Sequence, residues 1–179
     1  RGQAQPGDWI VTSGAHGLSR LGLALLQNDD ALRAADLDPH LRAQATAKHQ
    51  RPIPRLDALD SLLACKPEDL AWRAGGTDSS DGLLAAVKAL CCSSGCGAEL
   101  TEAWLPRAKH WPSGDRWDQW CLAGGEDFEL VLSLPPTWAQ RWLEQQPGSR
   151  RLGHITGESE TIRWSENAQP IQTAGFHHF

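Results

Sequence analysis

The sequence predicts one layered domain of the α/β or α+β class, in which strands and helices interleave. Three observations carry that prediction. Apolar residues fall at helical spacing in several runs and alternate with polar ones in others, taken in turn along the chain. No internal repeat or low-complexity linker divides the chain. Its 179 residues are enough for one domain with a core of its own.

The elements follow in order. Trp9 to Thr12 reads as a short strand, and a glycine-bearing loop leads from it into a helix from about Ser19, with Leu18, Leu21, Leu25 and Leu26 on one face. A second helix starts where Asp38 caps and Pro39 fits the first turn. The prolines at 52 and 54 in "HQRPIPR" end it and favour an extended connection. Leu56, Leu59, Leu62 and Leu63 mark a third helix, and Ala71 to Ala74 a weak strand. The fourth helix carries Leu83, Leu84, Val87, Leu90 and Cys91 at helical spacing, and glycines around Cys96 close it. "GAEL" suggests a strand, and the Trp-rich segment from Trp104 to Trp120 reads as irregular. Phe128, Leu130, Leu132 and Leu134 alternate with Glu129, Val131 and Ser133 in the clearest strand, which two prolines stop. "PTWAQRWLEQQ" reads as a helix, and "RLGHI" and "TIRW" as strands, before a short aromatic tail over 165–179.

Composition narrows the function. Lys and Arg total 17 against 22 Asp and Glu, a net charge of -5, so no basic field attracts polyanions, and nucleic acid and anionic membranes are poor partners. No apolar run approaches the roughly 20 residues of a membrane helix, and a cytoplasmic location is expected. Five cysteines, an odd number, do not read as a secreted disulfide framework. The chain opens on Arg1 and contains no Met, so an upstream segment is expected.

Two acidic motifs stand out. In "GGTDSSDGL", Asp78 and Asp81 flank Ser80; if Ser80 caps the following helix, both carboxylates lie at its amino end and repel each other unless a cation sits between them. Magnesium suits such a pair of hard oxygen ligands, and the helix start favours a phosphate oxygen. The plainer reading is that these residues only cap a helix. In "GGEDFEL", Gly124 and Gly125 precede Glu126 and Asp127 at the mouth of an apolar strand, where the alternative is a turn with acidic residues facing water. The Gly14 to Gly17 loop lacks the marks of a P-loop or a dinucleotide fingerprint and reads as a strand-to-helix turn. Cys91, Cys92 and Cys96 show no C-x-x-C spacing and read as structural thiols, and the tryptophans at 104, 111, 117 and 120 as packing.

The ordered set "PGDWIVTSG", "HQRPIPR", "DSSDGL", "GAEL", "GGEDFEL" and "GFHHF" resembles the carboxy-terminal part of the thiamine-monophosphate kinase family. That family belongs to the superfamily of aminoimidazole-ribotide synthetase, selenophosphate synthetase and a hydrogenase maturation factor. The resemblance implies a mixed β-sheet with helices packed on one face, in a single domain over 1–179 whose amino-terminal partner domain lies upstream. It implies transfer of a phosphoryl group from ATP to thiamine monophosphate, with Mg2+ and no protein nucleophile or base, in a homodimer of the full-length protein. It further implies Asp78 and Asp81 as magnesium ligands, Ser80 and Arg1 as ATP contacts, and Glu126 and Phe176 as substrate contacts. Two departures from the family pattern are Ser79, where an apolar residue is common, and His177, where Asp is common. Other readings are a superfamily member with a different phosphorylated substrate, a non-catalytic nucleotide-binding or assembly domain, and a thiol enzyme built on the cysteines.

Overall fold

The computed structural model describes residues 1–32 and 35–172. A mixed six-stranded sheet forms the centre, in the order β2-β4-β1-β5-β3-β6. Its strands are β1 (Trp9–Thr12), β2 (Gly75–Asp78), β3 (Gly97–Leu100), β4 (Leu130–Leu134), β5 (Arg150–Thr156) and β6 (Ile162–Trp164). All neighbours are antiparallel except β3 and β6, which run parallel. The helices are α1 (Leu18–Leu26), α2 (Pro39–Gln50), α3 (Leu56–Ala64), α4 (Leu83–Ser94), α5 (Asp115–Ala123) and α6 (Pro136–Gln145).

The mixed sheet with helices is as expected, but the helices cover both of its faces rather than one. Successive strand residues point to opposite sides, so Ile10 and Val131 enter a core with Leu83, Leu84, Val87 and Leu90 of α4 and Leu122 of α5. Val11, Leu132 and Leu134 enter a second core with Leu62 of α3 and Trp138 and Trp142 of α6. A third cluster joins α1 to α2 through Leu18, Leu21, Leu41 and Ala45, with Trp111 and Trp117. At Gly22 a Cβ would meet the Ala45 carbonyl oxygen at 2.2 Å, so the two helices approach to a distance only glycine permits.

Local chemistry explains the boundaries. Asp38 accepts from the backbone N–H groups of His40 and Leu41, with Pro39 in the first turn, as its place before α2 predicts. Gly95, in the left-handed region at φ 64°, closes α4. Trp138 and Trp142 are fully buried, and their indole N–H groups donate to Leu62 and Ala58 carbonyls at 3.1 Å, which fastens α6 to α3. The leucine stripe of α3 therefore does not face the core as a whole. Leu62 and Ala58 are buried against α6, while Leu56, Leu59 and Leu63 lie outward.

The Trp-rich segment is not irregular throughout: a 3-10 turn at Glu102–Trp104 leads into it, and α5 begins within it, with Trp117, Cys121 and Leu122 buried. Its tryptophans do pack. Trp117 meets Trp111 and Trp120 edge to face, and the Arg151 guanidinium lies over both Trp9 and Trp104.

Candidate functional site

The sheet register brings three loops to one end. Thr12 pairs with Val131 and Asp78 with Leu130, so the last residues of β1 and β2 sit beside the first residues of β4, their common neighbour. The loops that follow β1 (from Ser13) and β2 (from Ser79), and the segment that precedes β4 (to Glu129), must therefore meet there. These are the three glycine- and acid-rich stretches that the sequence singles out separately.

Hydrogen bonds lock them together. The Ser79 N–H donates to the Glu129 carbonyl at 2.9 Å, and the Glu129 N–H donates to Ser79 Oγ at 3.1 Å. Ser79 is fully buried, which gives that departure from the family pattern a structural task. The Glu126 N–H donates to the Ser80 carbonyl at 2.7 Å. Asp127, also fully buried, accepts from the N–H groups of Gly17 at 2.6 Å and Ser19 at 2.9 Å. It thereby supplies across space the cap that α1 lacks locally. These contacts hold two non-glycine residues in the left-handed region, Glu126 at φ 66° and Phe128 at φ 53°. Such conformations cost on the order of 1 kcal/mol each and persist where surrounding contacts fix them. They also explain why β4 begins at Leu130, short of the strand the alternation suggests.

Glu129 is the electrostatic centre. Its carboxylate, 5% exposed, accepts from Lys48 Nζ at 2.6 Å and Ser13 Oγ at 2.6 Å, and pairs with Arg55, which in turn forks onto Asp57 at 2.9 Å. Burial alone would raise its pKa, but the hydrogen bonds and charge of Lys48, with Ser13 and Arg55, outweigh burial and hold it below the ordinary range. Burial wins at Asp127, whose carboxyl is pushed up to about 7 against its two backbone donors. His16, buried in the loop after β1, is lowered to about 4 by desolvation and is therefore neutral at pH 7. Beside Glu126, the His49 ring Nδ1 lies 2.9 Å from Ser19 Oγ and 3.8 Å from the Glu126 carboxylate.

The residues singled out in the sequence fall as follows. Asp78 ends β2 and Asp81 lies in the turn before α4, both exposed at this end of the sheet. Ser80 is not the helix cap: α4 starts at Leu83, and the capping position is Gly82 at φ 103°, a conformation that favours glycine. The first turn of α4 contains no acidic residue, so the two aspartates belong to the strand end and turn rather than to the helix. Glu126 is joined to this turn through Ser80. Arg1 is further away, since its carbonyl lies near Gly75 at the opposite end of β2, roughly 10 Å along the strand from Asp78. Phe176 and His177 lie outside the described residues. Among the described residues no group of three or more His, Cys, Asp or Glu gathers in a metal-holding arrangement.

The cysteines are free thiols, and all but Cys92 are buried. Desolvation pushes Cys91 up to about 12, which suits packing rather than nucleophilic chemistry. Lys48, His49, Arg55, Ser13 and Glu129 were not legible as site residues, because their partners are 74 to 116 positions away for the Glu129 contacts. The "HQRPIPR" motif and the second glutamate of "GGEDFEL" were nonetheless both visible as patterns.

The family model described as AIR synthase related protein, C-terminal domain, matches residues 5–165. The thiamine-monophosphate kinase of Prochlorococcus marinus is 47% identical over 182 residues and that of Synechococcus elongatus 43%, each match covering 100% of this chain and 54% of the relative. This chain thus spans about half the length of the curated relatives it matches. Among solved structures, AaThiL complexed with AMPPCP and TMP superposes with a TM-score of 0.74 at 25% identity, covering 99% of this chain and 53% of that one. Escherichia coli HypE shares the fold, with a TM-score of 0.65 at 20% identity over 98% of this chain and 51% of its own. The chain belongs to the family of AIR synthase related C-terminal domains.

Proposed function

We propose that this chain is the carboxy-terminal domain of a thiamine-monophosphate kinase and supplies part of its active site. The observation that carries the reading is the junction at one end of the sheet, where the Asp78–Asp81 turn and Glu126 are held together by the 2.7 Å bond from the Glu126 N–H to the Ser80 carbonyl. A phosphate edge and a substrate edge side by side are what transfer between two anionic phosphates needs. The match to thiamine-monophosphate kinases over the whole chain, at up to 47% identity, supports the substrate assignment.

In this reading, a phosphate oxygen of thiamine monophosphate forms a bond to the γ-phosphorus of ATP, and the bond from that phosphorus to the β–γ bridging oxygen breaks. The products are thiamine diphosphate and ADP. The attacking oxygen already carries charge, so no side chain of this chain is assigned as nucleophile or base. Asp78 and Asp81 would hold Mg2+, which when bound neutralises phosphate charge. Two exposed carboxylates fit that ion as a partial set of hard oxygen ligands, with phosphates, water and the upstream domain completing it. Ser80 would contact ATP, and Glu126 and Phe176 the thiamine moiety. Arg1 would serve ATP only through its long side chain, given where its backbone lies. The full-length protein would be a homodimer in which the upstream domain completes the site. No described helix is long and apolar enough to cross a membrane, and a cytoplasmic location goes with the use of ATP.

The test is ATP-dependent formation of thiamine diphosphate by the full-length protein with magnesium present. Turnover of thiamine monophosphate is the expected result. Transfer to a different acceptor, or none, overturns the assignment.

A further inference from the structure

The "HQRPIPR" motif has no task in the reading above, yet the structure places its ends against both glutamates of "GGEDFEL". Lys48, immediately before it, and Arg55, its last residue, pair with Glu129. His49, its first residue, lies against Glu126. We propose that His49 is a positioning residue that sets the direction of the Glu126 carboxylate, and that the motif thereby tunes binding of the cationic substrate moiety.

Three observations support this. His49 Nδ1 is 2.9 Å from Ser19 Oγ, within hydrogen-bond range, and 3.8 Å from Glu126 Oε2, beyond it, so the ring is fastened to α1 and abuts the candidate substrate residue. The ring is itself held: its side chain is 21% exposed, and α2 is seated on α1 at Gly22, where an added Cβ would meet His49 Cβ at 2.8 Å. Glu126 needs such a neighbour. Its backbone is fixed by the bond to Ser80 and the left-handed φ of 66°, but its side chain is 41% exposed, and the His49 ring lies beside its carboxylate. A fixed backbone with an exposed carboxylate leaves rotamer freedom, and a neighbour that restricts it in advance lowers the ordering cost on binding. The proposal rests on Glu126 being a substrate contact.

His49→Leu keeps the bulk and removes the ring nitrogen. His49→Asn restores a polar nitrogen, because the amide nitrogen of asparagine lies as many bonds from Cα as Nδ1 does. In the full-length protein, His49→Leu is expected to raise the KM for thiamine monophosphate about tenfold, because the polar ring edge that confines the Glu126 carboxylate is lost, with kcat and the KM for ATP within about twofold of wild type. His49→Asn should recover most of that loss. Should His49→Leu fail to fold, Ser19→Ala, which frees the ring from its other anchor, should shift KM in the same direction. An unchanged KM in the leucine variant, or an equal defect in the asparagine variant, overturns the proposal. A crystal structure of the His49→Leu chain separates this outcome from failure of the functional reading. A displaced Glu126 carboxylate on an unchanged backbone supports positioning even if another substrate is used, and an unmoved carboxylate refutes it.

Discussion

Replacing Lys48 by methionine tests the buried cluster at the site most sharply. The ammonium is 15% exposed and its partner Glu129 5%, so the change leaves a desolvated carboxylate with less compensation. Removing one member of a buried pair costs roughly 3–5 kcal/mol. Arg55 and Ser13 remain on Glu129, which places the expected loss near the lower end, about 3 kcal/mol. For a chain of this size that corresponds to roughly 6–12 °C in melting temperature. Urea unfolding followed by tryptophan fluorescence measures it directly. The pH dependence gives a second reading. Glu129 has a depressed pKa in the folded state, so it contributes stability above the ordinary carboxylate range, and that contribution is lost as pH falls through the folded value. With Lys48 removed the folded value rises towards the unfolded one, so the stability that this group loses on acidification becomes smaller and the acid limb flattens. A loss under about 1 kcal/mol, the range of exposed pairs, with an unchanged acid limb would refute a buried, coupled cluster.

Asp127 titrates in the opposite sense. Its folded pKa is raised to about 7, so its protonated form is favoured in the native state and stability from this group declines as pH rises from the ordinary carboxylate value towards 7. Asp127→Asn should flatten that limb in urea titrations between about pH 4 and 7, and an identical slope in wild type and variant contradicts it. Among the thiols, exposed Cys92 should react first with a chromogenic disulfide reagent in the native chain, while Cys91, Cys96 and Cys121 react only on unfolding. Rapid labelling of all five thiols in the native chain would overturn the burial assigned to them.

Elements set by local chemistry were legible in the sequence. The Asp38-Pro39 start of α2 and the strand Trp9–Thr12 depend on neighbours in the chain, and both stand where the pattern puts them. Features decided by tertiary contact were not. Glycine at 82 rather than serine at 80 caps α4 because Ser79 and Ser80 spend their backbone groups on the 126–129 segment. The weak strand shifts from Ala71–Ala74 to Gly75–Asp78 because β4 offers its pairing edge there. Helix α5 was hidden by tryptophans and aspartates of low helix propensity, although the spacing of Trp117 and Cys121 carries a helical signal. At the site, the two acidic motifs were visible, but their meeting was not, since it follows from β2 and β4 being neighbours in the sheet.

In the proposed function the Asp78–Asp81 turn is the phosphoryl-transfer edge of a thiamine-monophosphate kinase. Its most direct test is the single-turnover rate of phosphoryl transfer from ATP to thiamine monophosphate in the full-length protein carrying Asp81→Asn. A fall of about 100-fold or more is expected at saturating magnesium, with folding intact by circular dichroism. A rate close to wild type would contradict it.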